Sequence, residues 1–501
     1  MASKRGPGGA IAGGSPMTVE AGLHAFALGG NAVDAWVAAQ LMACVAEPLL
    51  TGLGGGGLVT WKVGGESGVC DFFSDFPGRG RSSPPTGRRV EVIIDYGPTT
   101  QLFSAGPAAV AAPGMPAGLW AMHQRFGRVP MERLVEPAAR AAREGTEVMS
   151  TQHVAGGMLW GILSLTPESA GFLGRSGRAL REGEIFRSPA LAETLSSFAH
   201  VGPDWFYRGE AARAILATLG DEAWLTAADL AEYRPIWRPA LAISRAGTHV
   251  TVPGPPSQGG ALVLRSLLEL WGKGPLPPPL GAEHVLALAG AMDAAERARP
   301  HPWVEHVFSE DFVSRYLGAG HTTHISAVDG EGGAVSCTTS LGETAGIMVP
   351  QMGLLLNNFL GEADVNPPDH PRPAGARLMT MCCPTLVEIP ERGIYALGSG
   401  GSSRIRSSVL HGVVYMAENG LTPRQTVAAP RAHMEAGQLR METFEREEAD
   451  MARLRAALPD LVTFEQPGMY FGGLHIAGLG PDGFLGAGDP RRDGCYGCLS
   501  F

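Results

Sequence analysis

The chain has 501 residues, of which 45% are hydrophobic and 18% charged, and its formal net charge at pH 7 is −10. This composition supplies a large apolar core and excludes an intrinsically disordered chain. Because only three lysines occur and no basic run is present, we expect neither a nucleic acid nor an anionic membrane as a partner.

Helical patterns and glycine turns alternate in the first part of the chain. Asn31 is a suitable cap for a helix over 32–46, and the absence of charge between Asp34 and Glu47 predicts that this helix is buried. A glycine-rich loop then precedes a strand over 58–63. Further helical patterns occur at 116–125, 131–143, 190–200 and within 225–237, where Thr226 is a capping residue. The uncharged stretch 148–167 contains polar residues and glycines, so we interpret it as buried or loop rather than membrane-spanning.

The pattern changes to strands after about residue 320. Strands over 324–328 and 334–340 flank a turn that begins with Asp329-Gly330, which is typical of a β-hairpin. A second hairpin is predicted around 390–393, followed by a glycine-rich loop and a helical pattern over 404–418. Hairpins beside helices indicate two sheets packed between helical layers.

Cysteine usage indicates a reducing environment. The seven cysteines are odd in number and include the adjacent Cys382 and Cys383, which is a poor framework for disulfides. The N-terminal residues lack the apolar segment of a signal peptide, so we expect a cytoplasmic protein. Cys495 and Cys498 have the spacing of metal ligands, but no second pair follows, and we expect no metal and no other cofactor.

The segment 320–324 (Gly-His-Thr-Thr-His) carries one candidate nucleophile. Threonine reacts readily when it is the first residue of a chain, because its own α-amine then acts as the base. That reading requires cleavage of the bond between His321 and Thr322; the alternative is that two threonines simply begin a strand. His321 and His324 would point to opposite faces of a strand, which disfavours a metal site.

The hairpin places a second hydroxyl beside this threonine. Thr322 and Ser340 are each nine residues from Glu331 in the turn, so a symmetric register pairs them across the two strands. Ser340 could then orient or polarise the hydroxyl of Thr322. The alternative is an ordinary Thr–Ser cross-strand pair.

The loop 398–403 (Gly-Ser-Gly-Gly-Ser-Ser) lies between a strand and a helix. Its backbone N–H groups could face a developing oxyanion, and the absence of a following Gly-Lys-Ser/Thr excludes a nucleotide-binding P-loop. The alternative is a tight glycine turn.

Together these segments resemble the γ-glutamyltransferase family of N-terminal-nucleophile hydrolases. The similarity covers nearly the whole chain in family order, through the blocks 29–39 (GGNAVDAWVAA), 47–57 (EPLLTGLGGGG), 106–128, 225–235, 253–264, 322–346, 354–360 (LLLNNFL), 383–387, 398–405 and 488–494 (GDPRRDG). The resemblance implies an α+β fold, the four-layer αββα sandwich, with autocatalytic cleavage before the nucleophile. It therefore implies a large subunit 1–321 and a small subunit 322–501 that remain associated as a heterodimer, alone or as a dimer of these.

The resemblance also implies roles for single residues. Thr322 would be the nucleophile and Ser340 the second hydroxyl, while Gly400 and Gly401 would supply the oxyanion hole. Because the family's Pro-Gly-Gly reads Gly400-Gly401-Ser402 here, the second amide could instead belong to Ser402.

The sequence departs from the family in its substrate-binding positions. Phe73 stands where γ-glutamyl enzymes carry an Arg for the substrate carboxylate, and Gly342 stands where an Asn is usual. Glu362 replaces the amine-binding Asp, and Thr380-Met381 replace a Ser-Ser pair. Phe cannot make a bidentate contact with a carboxylate. Arginines elsewhere could substitute for the missing one, and the candidates are Arg79, Arg81 and Arg377.

These observations predict a self-processing hydrolase or acyltransferase acting on a small molecule, with either a γ-glutamyl amide or a modified analogue as substrate. The alternative within the family is an enzyme of specialised-metabolite biosynthesis, either an acylase or a hydrolase of a C–C bond in a dihydropyrrole intermediate. A further alternative is that the protein is not an enzyme but an unprocessed, inactive family member that acts as a binding scaffold.

Overall fold

A computed structural model describes residues 8–83, 86–87, 89–95, 100–298, 322–362, 366, 372–444 and 446–500. Two large antiparallel sheets form its centre. The order of strands across the first is β10 (Ile236–Arg238), β3 (Glu66–Phe72), β2 (Gly56–Val63), β14 (Ala334–Ser340), β13 (Thr322–Asp329), β1 (Gly9–Gly13) and β24 (Cys495–Leu499). Across the second it is β11 (Ala240–Arg245), β12 (Thr248–Pro253), β17 (Thr385–Ile389), β18 (Gly393–Gly400), β22 (Gly473–Gly480) and β23 (Gly483–Ala487).

The remaining strands form small sheets at the periphery. They are β4 (Val90–Asp95) with β5 (Thr100–Ala105), β6 (Thr146–Glu147) with β9 (Ile185–Phe186), β7 (Gly174–Arg175) with β8 (Arg178–Ala179), β15 (Met348–Val349) with β16 (Leu354–Leu355), and β19 (Ala432–Glu435) with β20 (Gln438–Glu442) and β21 (Val462–Phe464).

Helices cover the outer faces of both large sheets. Those of the N-terminal part are α1 (Pro16–Ala27), α2 (Ala32–Ala46), α3 (Met115–Phe126), α4 (Met131–Glu144), α5 (Ser150–Met158), α6 (Trp160–Leu163), α7 (Pro167–Phe172), α8 (Pro189–Val201), α9 (Pro203–Tyr207), α10 (Glu210–Leu219) and α11 (Ala227–Glu232). Those that follow are α12 (Gln258–Gly272), α13 (Ala282–Arg297), α14 (Arg404–Ala417), α15 (Pro423–Ala428) and α16 (Glu448–Ala457).

Three apolar cores define four layers. One core lies between the first sheet and helices α1 to α4 and α8, and another lies between the second sheet and helices α12 to α14. The third joins the inner faces of the two sheets through small side chains, among them Ala12, Ala396 and Ala477. The order helix, sheet, sheet, helix confirms the predicted αββα sandwich.

Helix α2 matches its prediction in both bounds and burial. Asn31 accepts hydrogen bonds from the amides of Val33 and Asp34, and Asp34 accepts one in return from the amide of Asn31. Every residue of the helix is buried, since α2 lies between the first sheet and α4. The absence of charge along 35–46 follows from that position.

One segment differs from its sequence prediction, and another agrees with it. The stretch 148–167 is mainly helical, forming α5 and α6, and it is only partly buried. The helix within 225–237 is capped by Thr226 as predicted and ends at Glu232, after which the chain enters β10 at the edge of the first sheet. In 148–167, packing against neighbouring elements decides the local structure, so propensity alone does not.

Both large sheets contain strands from the two sides of residue 322, and the first sheet interleaves them. In the first sheet, β13 and β14 lie between β2 and β1, which come from the N-terminal part of the chain. In the second sheet, β12 pairs with β17. The two halves of the chain therefore share each sheet and do not form separate domains.

Candidate active site

The site is built around the first residue of β13. The observed register pairs Thr322 with Ser340, as the residue count to Glu331 predicts. The hydroxyl of Thr322 lies 3.3 Å from that of Ser340, to which it donates, and Ser340 Oγ accepts a second hydrogen bond from the amide of Gly342 at 2.8 Å. Two donors thus converge on the Ser340 hydroxyl oxygen.

The two faces of β13 carry different groups. Thr322, His324 and Ser326 point between the sheets, whereas Thr323 and Ile325 point towards the helices. The ring of His324 is held by Thr338 Oγ1 at 2.8 Å and by Ser326 Oγ at 2.9 Å. His321 lies outside the described residues.

His324, two residues after Thr322 on the same face of β13, is an uncharged, buried side chain. Its side chain is fully buried, and this burial, together with the nearby His475, holds its pKa well below the usual value. Burial also lowers the pKa of His475 to about 4. Both rings are hydrogen-bonded in the interior, and His324 is uncharged at neutral pH.

The predicted oxyanion loop 398–403 begins within β18, which ends at Gly400. Gly400 lies against the carbonyl of Thr322, and a Cβ at this position would overlap that oxygen. Gly401 and Ser402 both have positive φ, +123° and +48°, and α14 begins two residues later with Arg404. The backbone of Ser402 is strained, because a residue with a side chain seldom adopts this conformation.

One small cavity gathers most of the residues selected from the sequence. Its volume is about 20 Å³, which corresponds to roughly one water molecule. Gly342 does not line this cavity itself but lies next to Glu362, which does. Gly400 and Gly401 precede the lining residue Ser402 in the chain. The lining comprises Phe73, Thr322, Ser340, Phe359, Glu362, Thr380, Met381, Cys382, Ser402 and Ile405.

Phe73 forms an apolar wall of this cavity. Its ring lies 4.5 Å from that of Phe359, centroid to centroid, and it packs with Leu58, Leu378 and Cys382. Burial raises the pKa of the Cys382 thiol to about 12, so Cys382 remains protonated and does not compete as a nucleophile.

The alternative arginines do not replace the missing anchor. Arg377 is buried behind Phe73, where its guanidinium pairs with Asp75 at 3.0 Å and with Asp71 at 3.6 Å. Arg79 pairs with Glu232 at 3.0 Å. None of the described residues lining the catalytic cavity is an arginine.

Gly342 could not simply be exchanged for the Asn of the family. Its φ is +66°, and a Cβ at this position would overlap Asn358 Oδ1 and lie 2.7 Å from Glu362 Oε1. The side chains of Asn358 and Glu362 therefore occupy the space that a residue at 342 would need. An Asn at position 342 would therefore require Asn358 and Glu362 to move.

The loop before α12 supports the opposite wall. Ser257 Oγ donates to the carbonyl of Cys382 at 2.6 Å, and the amide of Gln258 donates to that of Thr380 at 2.9 Å. Gly259 lies against the carbonyl of Met381, where a Cβ would not fit. The block 253–264 therefore positions residues 380–382.

Arg492 and Glu47 are two residues whose roles at the site were not predicted. Arg492 is buried and donates to the carbonyl of Thr322 at 3.0 Å and to that of Met469 at 3.2 Å. Glu47 accepts hydrogen bonds from the hydroxyls of Thr323 at 2.5 Å and Thr18 at 2.6 Å. Burial raises the pKa of Glu47, although these two hydroxyls act in the opposite direction. Glu47 lies in the block 47–57 and Arg492 in the block 488–494. Membership of these blocks was the only feature of the sequence that pointed to a role at the site.

No metal centre accompanies this site in the part of the chain that is described. There, no group of three or more His, Cys, Asp or Glu side chains is placed to hold a metal ion. Cys495 and Cys498 lie three positions apart on β24 and so face opposite ways. Among the described helices, none is long and apolar enough to cross a membrane.

Comparison with known proteins agrees with this architecture. The cephalosporin acylase of Bacillus halodurans superposes with a TM-score of 0.81 at 23% identity, over 100% of this chain and 98% of that one. An acylase proenzyme of Pseudomonas sp. strain SE83, ACY 1, is 28% identical over 96% of this chain and 91% of its own length. The glutathione hydrolase proenzyme of Pseudomonas aeruginosa is 27% identical over 85% of this chain and 83% of its own.

The fold and its relatives define an enzyme of the N-terminal-nucleophile hydrolase class. The family model described as Gamma-glutamyltranspeptidase matches residues 18–300 and 280–498, which is nearly the whole chain. The chain therefore belongs to the γ-glutamyltranspeptidase family.

Proposed function

We propose that this enzyme cleaves itself before Thr322 and then uses Thr322 to hydrolyse or transfer the acyl group of a small amide. The observation that carries this proposal is the position of Thr322, which begins a central strand, donates to Ser340 and faces a cavity. An inactive scaffold would not explain why the loop of Gly400 to Ser402, with its strained backbone, lies against Thr322.

Maturation follows from the hydroxyl of Thr322. In the proposed reaction, Thr322 Oγ attacks the carbonyl carbon of His321 while the amide nitrogen of Thr322 takes a proton and leaves. The resulting ester is hydrolysed by water, which releases the carboxyl group of His321 and the hydroxyl of Thr322. Ser340 Oγ, held by the amide of Gly342, receives the hydrogen bond of the attacking hydroxyl.

Catalysis reuses the same hydroxyl with a new base. The freed α-amine of Thr322 takes the proton of Oγ as the oxygen attacks the substrate carbonyl. Amides of Gly400, Gly401 and Ser402 stabilise the oxyanion, and the amine portion of the substrate leaves with the proton. Water or a second amine then releases the acyl group from Thr322.

The two products of maturation stay together in this proposal. Strand β13 has β14 on one side and β1 on the other, and β14 in turn pairs with β2. Separating the subunits would break backbone ladders in both sheets and expose the apolar cores. The active protein is therefore a heterodimer of 1–321 and 322–501.

The substrate has an acyl portion without the charged head of glutamate. Phe73 and Phe359 present aromatic surface, and the nearby Arg377 is engaged by Asp71 and Asp75. A carboxylate placed against Phe73 would lose its solvation without gaining a partner, at a cost of about 1–3 kcal/mol or more. We therefore favour an acylase activity over glutathione hydrolysis, with Glu362, Thr380 and Met381 contacting the rest of the acyl group.

We also propose that the enzyme works in the cytoplasm. All seven cysteines lie in the described parts of the chain, and none forms a disulfide. Unpaired thiols at this number fit a reducing compartment.

Intact-mass analysis of the purified protein tests the proposal. We expect two fragments, the smaller beginning at Thr322, and a single chain for Thr322→Ala. Thr323→Ala is the matched control, because its hydroxyl contacts Glu47 on the other face of β13, and it should still be cleaved. Cleavage at another bond, or of Thr322→Ala, contradicts the assignment.

A substrate panel then addresses specificity. Processed enzyme is given γ-glutamyl, glutaryl and alkanoyl p-nitroanilides, together with dihydropyrrole compounds that report C–C cleavage. We expect alkanoyl amides to be hydrolysed with the highest kcat/KM. Efficient glutathione turnover, at about 10⁴ M⁻¹s⁻¹ or more, contradicts the apolar pocket.

A further inference from the structure

Phe73, whose ring forms the apolar wall of the catalytic cavity, lies outside the strand ladders. Strand β3 ends at Phe72, and the segment after it pairs with 376–378 through the main-chain groups of Ser74 and Phe76. Among the described residues, Phe73 has no main-chain partner of its own. Because buried main-chain groups are nearly always hydrogen-bonded, other groups must hold this residue in place.

Side chains satisfy the backbone of Phe73 instead. Its amide donates to Asp71 Oδ1 at 3.0 Å. Its carbonyl oxygen accepts two hydrogen bonds, one from the hydroxyl of Tyr233 at 2.6 Å and one from Arg377 Nη1. These three side chains do not line the catalytic cavity, yet they fix the residue whose ring does.

The three side chains form one buried network. Arg377 Nη1 also donates to the hydroxyl oxygen of Tyr233 at 2.5 Å, and the guanidinium pairs with Asp71 at 3.6 Å and with Asp75 at 3.0 Å. Asp71, Tyr233 and Arg377 are all buried, so water does not compete for their hydrogen bonds. Charged hydrogen bonds in such a setting are strong and restrict the groups that they join.

Tyr233 is the member of the network that can be altered without leaving a buried charge unpaired. Its ring stacks on that of Tyr207 at 5.4 Å, and the guanidinium of Arg377 lies 4.9 Å from its centroid. Burial raises the pKa of the Tyr233 phenol, so the hydroxyl keeps the proton that it donates to Phe73. Removing this hydroxyl takes away one of the two donors to the carbonyl of Phe73 and leaves the ring packing in place.

We propose that Tyr233 and Arg377 are positioning residues for acyl specificity, because they hold the backbone of Phe73 so that its ring lies against Phe359. Arg377 then affects the substrate through the apolar wall, not by pairing with a substrate carboxylate. The inference rests on the proposed acyl-transfer function, since it concerns how the acyl group fits the same cavity. Thr322 stays in place when Phe73 moves, because it belongs to the β13 ladder.

Two acyl p-nitroanilides separate the wall from the nucleophile. Butanoyl has two methylene groups more than acetyl, and these contact the apolar wall in the proposed binding mode. Tyr233→Phe should lower the butanoyl-to-acetyl ratio of kcat/KM about fivefold, within the range for small apolar groups in a pocket. The kcat for the acetyl substrate should change less than about twofold. An unchanged or raised ratio overturns the proposal.

Tyr207→Phe is the matched control. Tyr207 is also buried and stacks on Tyr233, but its hydroxyl donates to the carbonyl of Pro113 at 3.0 Å and not to Phe73. Both variants lose one buried phenol hydroxyl, so both should lower the midpoint of urea unfolding, whereas Tyr207→Phe should keep the wild-type substrate ratio. An equal fall of the ratio in the two variants would show a general loss of packing and overturn the positioning role.

A double-mutant cycle tests whether Tyr233 acts through Phe73. Phe73→Ala removes the ring that the network positions, so Tyr233→Phe should have no further effect on the substrate ratio in that background. A fall of the ratio that persists in the Phe73→Ala background would mean that Tyr233 acts on another part of the site, which contradicts the proposal.

Arg377→Lys examines the second donor. Lysine keeps the positive charge but lacks the fork that reaches Phe73, Tyr233 and the two carboxylates at once. The ratio should fall at least as far as in Tyr233→Phe, and an unchanged ratio contradicts the role of Arg377. Self-cleavage seen on a gel reports that a variant has folded, and Tyr233→Phe with its cycle decides the proposal if Arg377→Lys does not fold.

Failure of this inference can be distinguished from failure of the proposed function. A wild-type chain that is not cleaved, or that is cleaved but hydrolyses neither anilide, contradicts the proposed function and this inference with it. A cleaved and active enzyme whose substrate ratio does not respond to Tyr233→Phe contradicts the inference alone.

Discussion

The strand pair that carries Thr322 and the wall formed by Phe73 meet in one cavity but are stabilised differently. On the strands, hydroxyl, imidazole and amide groups are hydrogen-bonded to one another. For example, Ser340 Oγ accepts hydrogen bonds from Thr322 Oγ1 and from the amide of Gly342. On the wall, aromatic rings face the cavity, and the charges of Arg377 and Asp75 lie behind them. A change on the strands should therefore alter the rate for every substrate, whereas a change on the wall should alter the ratio between substrates.

Ser340→Ala is the strongest test of the strand side. Loss of the hydroxyl removes the partner of Thr322 Oγ1, and we expect both maturation and turnover to slow by roughly 10²-fold or more, as for other positioned proton-handling groups. Time courses of cleavage on gels and kcat for three acyl substrates measure this.

The matched control for Ser340 is its neighbour Thr339, which faces the helices and contacts Thr51 at 2.9 Å. Thr339→Ala should lower stability but leave kcat nearly unchanged. A slowing confined to one substrate would contradict the division between strand and wall.

Gly342→Ala examines the junction of the two regions. A side chain at φ +66° costs about 1–3 kcal/mol from backbone strain, and the overlap with Asn358 adds to this. Gly64 is the matched control, since its φ is +60° and a Cβ there would meet nothing within 4 Å. Urea unfolding should show a larger loss for Gly342→Ala than for Gly64→Ala. Equal losses of unfolding free energy in the two variants would mean that Asn358 and Glu362 move aside to accommodate the new methyl group.

Phe73→Arg tests the wall alone. An Arg here supplies the carboxylate partner that the cavity lacks, and we expect the kcat/KM ratio of γ-glutamyl to alkanoyl p-nitroanilide to rise about tenfold, within the range of a single pocket contact. The gain is limited because Glu362 lines the same cavity and competes for the new charge. Phe76→Arg adds the same charge outside the cavity and should leave the ratio unchanged. A uniform loss for all substrates in Phe73→Arg would assign Phe73 to the catalytic side.

The buried histidines of the strand side should contribute to the dependence of stability on pH, as should His411 and His433 elsewhere in the fold. Burial holds the pKa of His324 well below its usual value and that of His475 at about 4. The unfolded chain binds protons at these rings below about pH 6.5 and the folded chain does not, so stability falls as the pH is lowered.

His475→Gln should remove about 1 kcal/mol of this loss over the first unit below pH 6.5, measured by urea unfolding at several pH values. Phe73→Leu, on the wall, should lower the free energy of unfolding equally at every pH and so leave its slope against pH unchanged. An unchanged slope in His475→Gln would show that this ring is protonated in the folded state.

Local patterns predicted the elements that depend on nearby residues. The turn at 329–333 placed Ser340 opposite Thr322, and the cap at Asn31 placed α2, because both depend on contacts within about twenty residues. The segment 148–167 was misjudged because its helices are stabilised by packing rather than by their own amphipathic pattern.

Contacts between distant parts of the chain could not be predicted in this way. Arg492 reaches the carbonyl of Thr322 across 170 positions, and Glu47 reaches Thr323 across 276. Nothing in the sequence around Arg492 indicates which carbonyl it will meet. The same holds for Arg377, whose pairing behind Phe73 removes it from the list of possible substrate anchors.

The interleaving of strands from both halves has a consequence for the lifetime of the enzyme. Before cleavage, β13 and β1 belong to one polypeptide, and folding is a unimolecular reaction. In the proposed mature form, cleaved before Thr322, recovery from complete unfolding would require two chains to find each other, so it would depend on protein concentration. On that proposal the mature enzyme is assembled once, from its precursor, and its persistence would be set by the rate at which the sheets open rather than by an equilibrium re-established in dilute solution.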